Sequence, residues 1–214
     1  MKDIKITYHG HSMFEIESYS GSRVITDPYN EQIKSVLPDV TADIVLVSHD
    51  HYDHSNISIV KGNPRIINNP EPREIYGIII EGINTFHDTS HGQVRGGNII
   101  FRFIIDEVIF AHMGDIGHIP DADVYEKLKG AEILMIPVGG IYTVSASTAF
   151  EIAGKISPAI IIPMHYREKD SKLQVDTVDG FLSRFADFTS SDHSVVVSKG
   201  TLTKKTETWV FKSS

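Results

Sequence analysis

The stretch VLVSHDHYDH, Val45 to His54, runs an apolar segment straight into a cluster of three histidines and two aspartates. Ile44, Val45, Leu46 and Val47 do not alternate with polar residues, the pattern of a strand buried on both faces, so the polar residues begin where the strand stops. His49 and His51 stand two apart and project to one side of an extended chain, and Asp53 and His54 follow in the turn into HSNISIV. One short loop therefore offers four nitrogen or oxygen ligands. The chain has no cysteine, which excludes a thiolate-rich structural zinc site, while imidazole mixed with carboxylate suits zinc, manganese, iron or nickel. A lone histidine after a strand is ordinarily a solvated turn residue. His-x-His-x-Asp-His as a unit is read as a metal site.

The same theme of buried strand followed by ligand recurs downstream. EIYGIIIEGINTFHD reads as a strand pair whose apolar residues stop at Phe86, leaving His87 and Asp88 at the end, and His91 follows in the glycine-rich SHGQVRGGN. Either histidine could be a ligand; His87 is preferred because a strand end holds a side chain more firmly than a loop, and His91 would then border the pocket. NIIFRFIID and EVIFAH form a hairpin turning near Asp106, and the second strand runs into HMGDIGH. Asp115 there has two oxygens and can span two cations, which a histidine cannot, while His112 and His118 read as structural or rim residues. PAIIIPMHYR repeats the theme with His165.

At the amino end, alternation over Lys2 to Ile6 and Met13 to Ser18, followed by RVITDPY, predicts an antiparallel meander. HGHS lies between its first two strands. It is either a tight turn that needs Gly10 and leaves His9 and His11 exposed, or part of the site. Further on, Asp121 caps a helix that Gly130 ends, and Ser145 caps a second helix through Ile152 and Ile156. Tyr142, between a glycine pair and that helix, is a packed loop aromatic or a pocket residue. TVDGFLSRF suggests a short helix, and SVVVSK and ETWVF close a sheet.

The length of 214 residues, 41% of them apolar, without repeat or linker, predicts one domain over 1–214. A net charge of −8 disfavours nucleic acid and anionic membrane as partners but leaves an anionic small molecule open, because bound divalent ions would dominate the local field. The absence of cysteine is compatible with the cytoplasm, and MKDIKITYHG has charges where a signal peptide needs an apolar core.

The hexad of His49, His51, Asp53 and His54 resembles the hallmark motif of the metallo-β-lactamase superfamily, and the resemblance extends over nearly the whole chain. It implies an α+β fold, an αββα sandwich of two mixed sheets flanked by helices, and a metal-dependent hydrolase. By the same resemblance His49, His51 and His87 would hold one divalent ion and Asp53, His54 and His165 a second, with Asp115 and a hydroxide between them. Zinc is the expected metal, with manganese, iron or nickel as alternatives. Asp27 in ITDPY corresponds to an aspartate that buttresses the ligand loop. The Gly10-His11 pair is similar to a segment of the ascorbate-6-phosphate lactonase-like and N-acylphosphatidylethanolamine phospholipase-like branch, making His11 a candidate to contact substrate or support a ligand, and Tyr142 lies in a segment similar to the family's VGGxYT. The implied substrate is a small ester, lactone or phosphoester, with Asp53 the catalytic residue. The alternatives are phosphodiesterase or nuclease activity on the same centre, or a metal- or ligand-sensing protein without turnover.

Overall fold

The computed structural model describes residues 2–212. The chain opens with β1 (Ile4–Gly10), β2 (Met13–Glu17) and β3 (Arg23–Thr26), followed by β4 (Val40–Thr41), β5 (Ile44–Leu46), β6 (Val60–Lys61) and β7 (Arg65–Ile67). Next come β8 (Arg73–Ile75), β9 (Ile78–Phe86), β10 (Gly97–Ile105), β11 (Val108–His112), α1 (Ala122–Leu128), β12 (Ile133–Pro137), α2 (Ala146–Ile156) and β13 (Ile160–Met164). The chain ends with α3 (Asp179–Leu182), β14 (Thr189–Ser191), β15 (Ser194–Val197) and β16 (Glu207–Phe211). Of the two large sheets, one has the order β15-β1-β2-β3-β5-β7 and the other β14-β16-β13-β12-β11-β10-β9-β8, while β4 and β6 pair in a separate two-stranded sheet. Each large sheet is antiparallel at the hairpins and parallel where the chain crosses over.

The unalternating apolar runs are explained by their two faces. Ile44 and Leu46 enter the core between the sheets while Val45 and Val47 pack outward, and Ile133 and Met135 likewise face inward while Leu134 and Ile136 face the helices. Burying an isoleucine or phenylalanine fully contributes about 1.5–3 kcal/mol, so strands loaded on both faces are the rigid part of the molecule. The two α-helices predicted from Asp121 and Ser145 form with those residues as caps, each side chain accepting an amide N–H of the first turn.

The architecture is the expected two-sheet sandwich, with one uneven outer layer. All three α-helices contribute to the cluster over the second sheet, whereas the outer face of the first is covered by Tyr29, Ile33, Leu173 and Val175 from irregular segments. The closing strands also separate: β15 pairs with β1 in the first sheet and β16 with β13 in the second. A tail that joins both sheets ties the sandwich at one side, leaving the ligand-bearing strand ends along another.

Candidate metal centre

Five chain segments deliver the site. His49, His51, Asp53 and His54 follow β5, His87 follows β9, Asp115 follows β11, His165 follows β13, and His11 sits in the turn from β1 to β2. The loops come close because glycine permits it: a Cβ on Gly117 would lie 2.3 Å from the carbonyl carbon of His87, and one on Gly139 would lie 2.2 Å from the carbonyl oxygen of His165. His11, Asp27 and His165 adopt φ of 56°, 40° and 52°, left-handed backbone that a non-glycine residue holds only when its surroundings fix it.

The ligand atoms fall into groups of the size of a cation. His49, His51 and His87 form one, and His11, Asp53, His54 and His165 another. Asp115 lies between them, its Oδ2 being 3.1 Å from His87 Nε2, 3.2 Å from His54 Nε2 and 3.0 Å from His165 Nε2. His11, placed in an exposed turn by one reading of HGHS, is 2% exposed, with Nε2 3.3 Å from both Asp53 Oδ2 and His54 Nε2. His9 stays outside, against Glu15.

Asp27 sets the protonation of this loop. Its Oδ1 accepts the Ser48 amide at 2.8 Å, and its Oδ2 accepts the Ser48 hydroxyl at 2.7 Å and lies 2.9 Å from His54 Nδ1. Because the Ser48 proton is given to Asp27, Ser48 Oγ accepts from His49 Nδ1 at 2.9 Å. Both histidines then carry hydrogen on Nδ1, which leaves Nε2 as the nitrogen each can offer to a cation: bare on neutral His49, and on His54 once a cation displaces its second proton. His49 Nε2 and Asp115 Oδ1 are buried with no hydrogen-bond partner, a costly arrangement unless a cation takes the lone pairs.

The charges point the same way. Burial holds His49 down at about 3 and His11 at about 4, so both stay neutral. Burial would also lower His54, but Asp115, Asp27 and Asp53 overcome it and raise its pKa well above the ordinary value. Asp53 and Asp115 are held low despite burial, chiefly by His54 and His165 respectively. A buried proton surrounded by three carboxylates stands where a metal cation would, and the donor set fits divalent ions.

The remaining candidates separate cleanly. His91 is exposed, its ring packing edge-on against Phe86, and it joins neither ligand group nor the cavity wall. His112 donates from Nε2 to the Ser12 carbonyl and accepts the Gly114 amide, and His118 is similarly occupied by Phe86 and Ile119. Tyr142 lines a cavity of about 260 Å³ together with His51, Asp53, His87 and Asp115. A larger hollow of about 680 Å³ lies behind the hexad loop against Val47, Asn84 and Ile99, and touches only His49 of the ligands.

Sequence reading missed several supports. Asn98 accepts the Asp115 amide at 2.8 Å and donates to the Met113 carbonyl and Thr85 Oγ1, fixing the Asp115 loop from a neighbouring strand. Glu168 accepts the His11 amide at 3.3 Å and pairs with buried Lys34 at 3.1 Å. A buried asparagine or lysine has no sequence signature of its own; only the partner identifies it.

Among known proteins, the family described as "Beta-lactamase superfamily domain" matches residues 5–165. A protein of Thermoplasma volcanium named a UPF0173 metal-dependent hydrolase is 31% identical over 194 residues, covering 78% of this chain and 86% of that protein. One of the same name from Geobacillus is 26% identical, covering 76% and 85%. A crystal structure from Thermotoga maritima, described as a candidate zinc-dependent hydrolase of the metallo-β-lactamase superfamily, superposes with a TM-score of 0.82 at 33% identity, over 99% of this chain and 100% of that one. With the hexad at the end of β5 and its partners at three further strand ends, the chain belongs to the metallo-β-lactamase superfamily.

Proposed function

We propose that residues 1–214 form one hydrolase domain that binds two divalent ions, zinc foremost, and cleaves a small ester, lactone or phosphoester. The observation that carries this reading is Asp115, whose Oδ2 stands within 3.2 Å of ligand nitrogens from both groups. Bound there, a metal pair would acidify a coordinated water and polarise the bond under attack. The protein groups do the rest. His49, His51 and His87 would hold the first ion, and Asp53, His54 and His165 the second, with His11 beside Asp53 and His54. Asp53, on the cavity wall and held ionised, would orient the attacking water and take up its hydrogen bond. Asp27 keeps His49 and His54 in ligating form.

The Gly10-His11 turn, brought to the second ligand group, supports the lactonase-like and phospholipase-like branch of the superfamily. No helix among the described residues is long and apolar enough to cross a membrane. The test is elemental analysis after reconstitution with zinc, manganese, iron or nickel, followed by a panel of esters, lactones and phosphodiesters. Two ions per chain with turnover is the expected result. No bound metal refutes the reading, and two ions with tight binding but no turnover would make the chain a sensor.

A further inference from the structure

The glycine-rich loop after β9 carries a cation to the cavity. Asp88, 6% exposed, accepts the amides of Ser90, Gly92, Val94 and Arg95 at 2.7, 3.0, 3.1 and 2.8 Å. A loop with four backbone donors on one carboxylate is fixed, and the last donor is the amide of Arg95 itself. The Arg95 guanidinium then lies over the Tyr142 ring, 5.4 Å from its centroid, with Nη2 3.4 Å from the Ile141 carbonyl. Ile141 holds φ of 57°, rare for a β-branched residue, so the loop that supplies the ring and the carbonyl is itself in a forced conformation.

Arg95 is the one lysine or arginine on the wall of the 260 Å³ cavity, which it shares with His51, Asp53, His87 and Asp115. Among the described residues, no carboxylate lies within 4.0 Å of it. An arginine stacked on an aromatic face keeps its planar fork open to bidentate contact with an anion; among the described residues the guanidinium donates only the long Nη2 bond to the Ile141 carbonyl, and no carboxylate neutralises it. The net charge of −8 makes a local cation the more necessary for holding an anion.

We infer that Arg95, seated on Tyr142, binds an anionic group of the substrate, a carboxylate or a phosphate, at the end remote from the bond that is cleaved. Arg95 is thus a specificity-determining residue, and the substrate is a small anion rather than a neutral ester. This rests on the hydrolase reading of the cavity, but it can fail separately.

The test uses the metal-reconstituted protein, with metal content measured first. Glutarate and inorganic phosphate are titrated by calorimetry into wild type, Arg95→Gln, Arg95→Lys and Lys129→Gln, the last removing the same charge from an exposed site on the helix side of the molecule. Arg95→Gln should weaken at least one of the two anions tenfold or more, about 1.4 kcal/mol, with Arg95→Lys intermediate and Lys129→Gln within about twofold of wild type. The probe that weakens identifies the anion. For hydrolysis, the ratio of kcat/KM for mono-p-nitrophenyl glutarate over p-nitrophenyl acetate should fall by a similar factor in Arg95→Gln. Failure of wild type to bind either anion, affinities unchanged in Arg95→Gln, or an equal loss in Lys129→Gln overturns the inference. Absence of metal from wild type would instead overturn the hydrolase reading, because metal content is measured independently of anion binding.

Discussion

Replacing Asp27 by asparagine tests the logic of the ligand loop without needing a substrate. Asparagine keeps the volume, tolerates φ of 40° and can still accept the Ser48 amide through its oxygen. Its NH₂ then occupies the place of Oδ2, which in the native protein accepts the Ser48 hydroxyl at 2.7 Å and lies 2.9 Å from His54 Nδ1. An NH₂ cannot accept either proton. His54 loses the partner that keeps hydrogen on Nδ1, and the tautomer with hydrogen on Nε2 puts that hydrogen where the second ion would bind. Groups that orient a metal ligand in this way are typically worth 10–100-fold in metal affinity, or about 1.4–2.8 kcal/mol. His49 is reached only through Ser48, so the first ion should lose less. Competition with a chromophoric chelator should show the second dissociation constant raised 10–100-fold and the first by less than about threefold, with the histidine tautomer read by nitrogen-correlated NMR. Unchanged affinities for both ions, or a loss confined to the first, would refute the argument.

His87→Ala should reduce metal affinity tenfold or more while His91→Ala leaves metal content unchanged, as elemental analysis of the two variants will show, because His91 is exposed and outside both groups. Asp53→Asn should retain the first ion and slow hydrolysis by roughly a hundredfold at unchanged far-ultraviolet circular dichroism; an unchanged rate would remove Asp53 from the mechanism. The metal-free protein should be most stable near pH 6.5. His49 and His11 are held at about 3 and about 4 by burial, so the unfolded chain binds more protons below the ordinary imidazole value of 6.5, and stability rises with pH up to that point. His54 acts in the opposite sense, its contribution being complete below 6.5 and lost as pH rises through its raised value. Urea unfolding in excess chelator that strengthens steadily up to pH 8.5 would contradict this.

What the sequence made legible follows from where strands end. A strand buried on both faces shows as an unbroken apolar run, and the first polar residues after it lie at the sandwich edge; His49 and His165 could be read because each follows such a run, and His87 because it follows the last apolar residue, Phe86, of the alternating β9. The helix caps at Asp121 and Ser145 were legible for a related reason, since a cap acts on residues three positions away. Contacts made across long sequence separations left no trace of that kind. His11 meets Asp53, Asn98 supports Asp115 and Lys34 pairs with Glu168, all through the folding of distant segments onto one edge. The partition of β15 and β16 between sheets was equally hidden, because SVVVSK and ETWVF have the same short apolar pattern. Arg95 shows this limit most sharply. In SHGQVRGGN it reads as a charge in a flexible, glycine-rich turn, the ordinary place for a solvated arginine. Only Asp88, by collecting four amides of that turn, removes its freedom, and only the strained Ile141 brings Tyr142 beneath the guanidinium. Most residues proposed to bind metal can thus be identified from local pattern, whereas the residue argued to select the substrate gains its role from two loops that meet only in the folded chain.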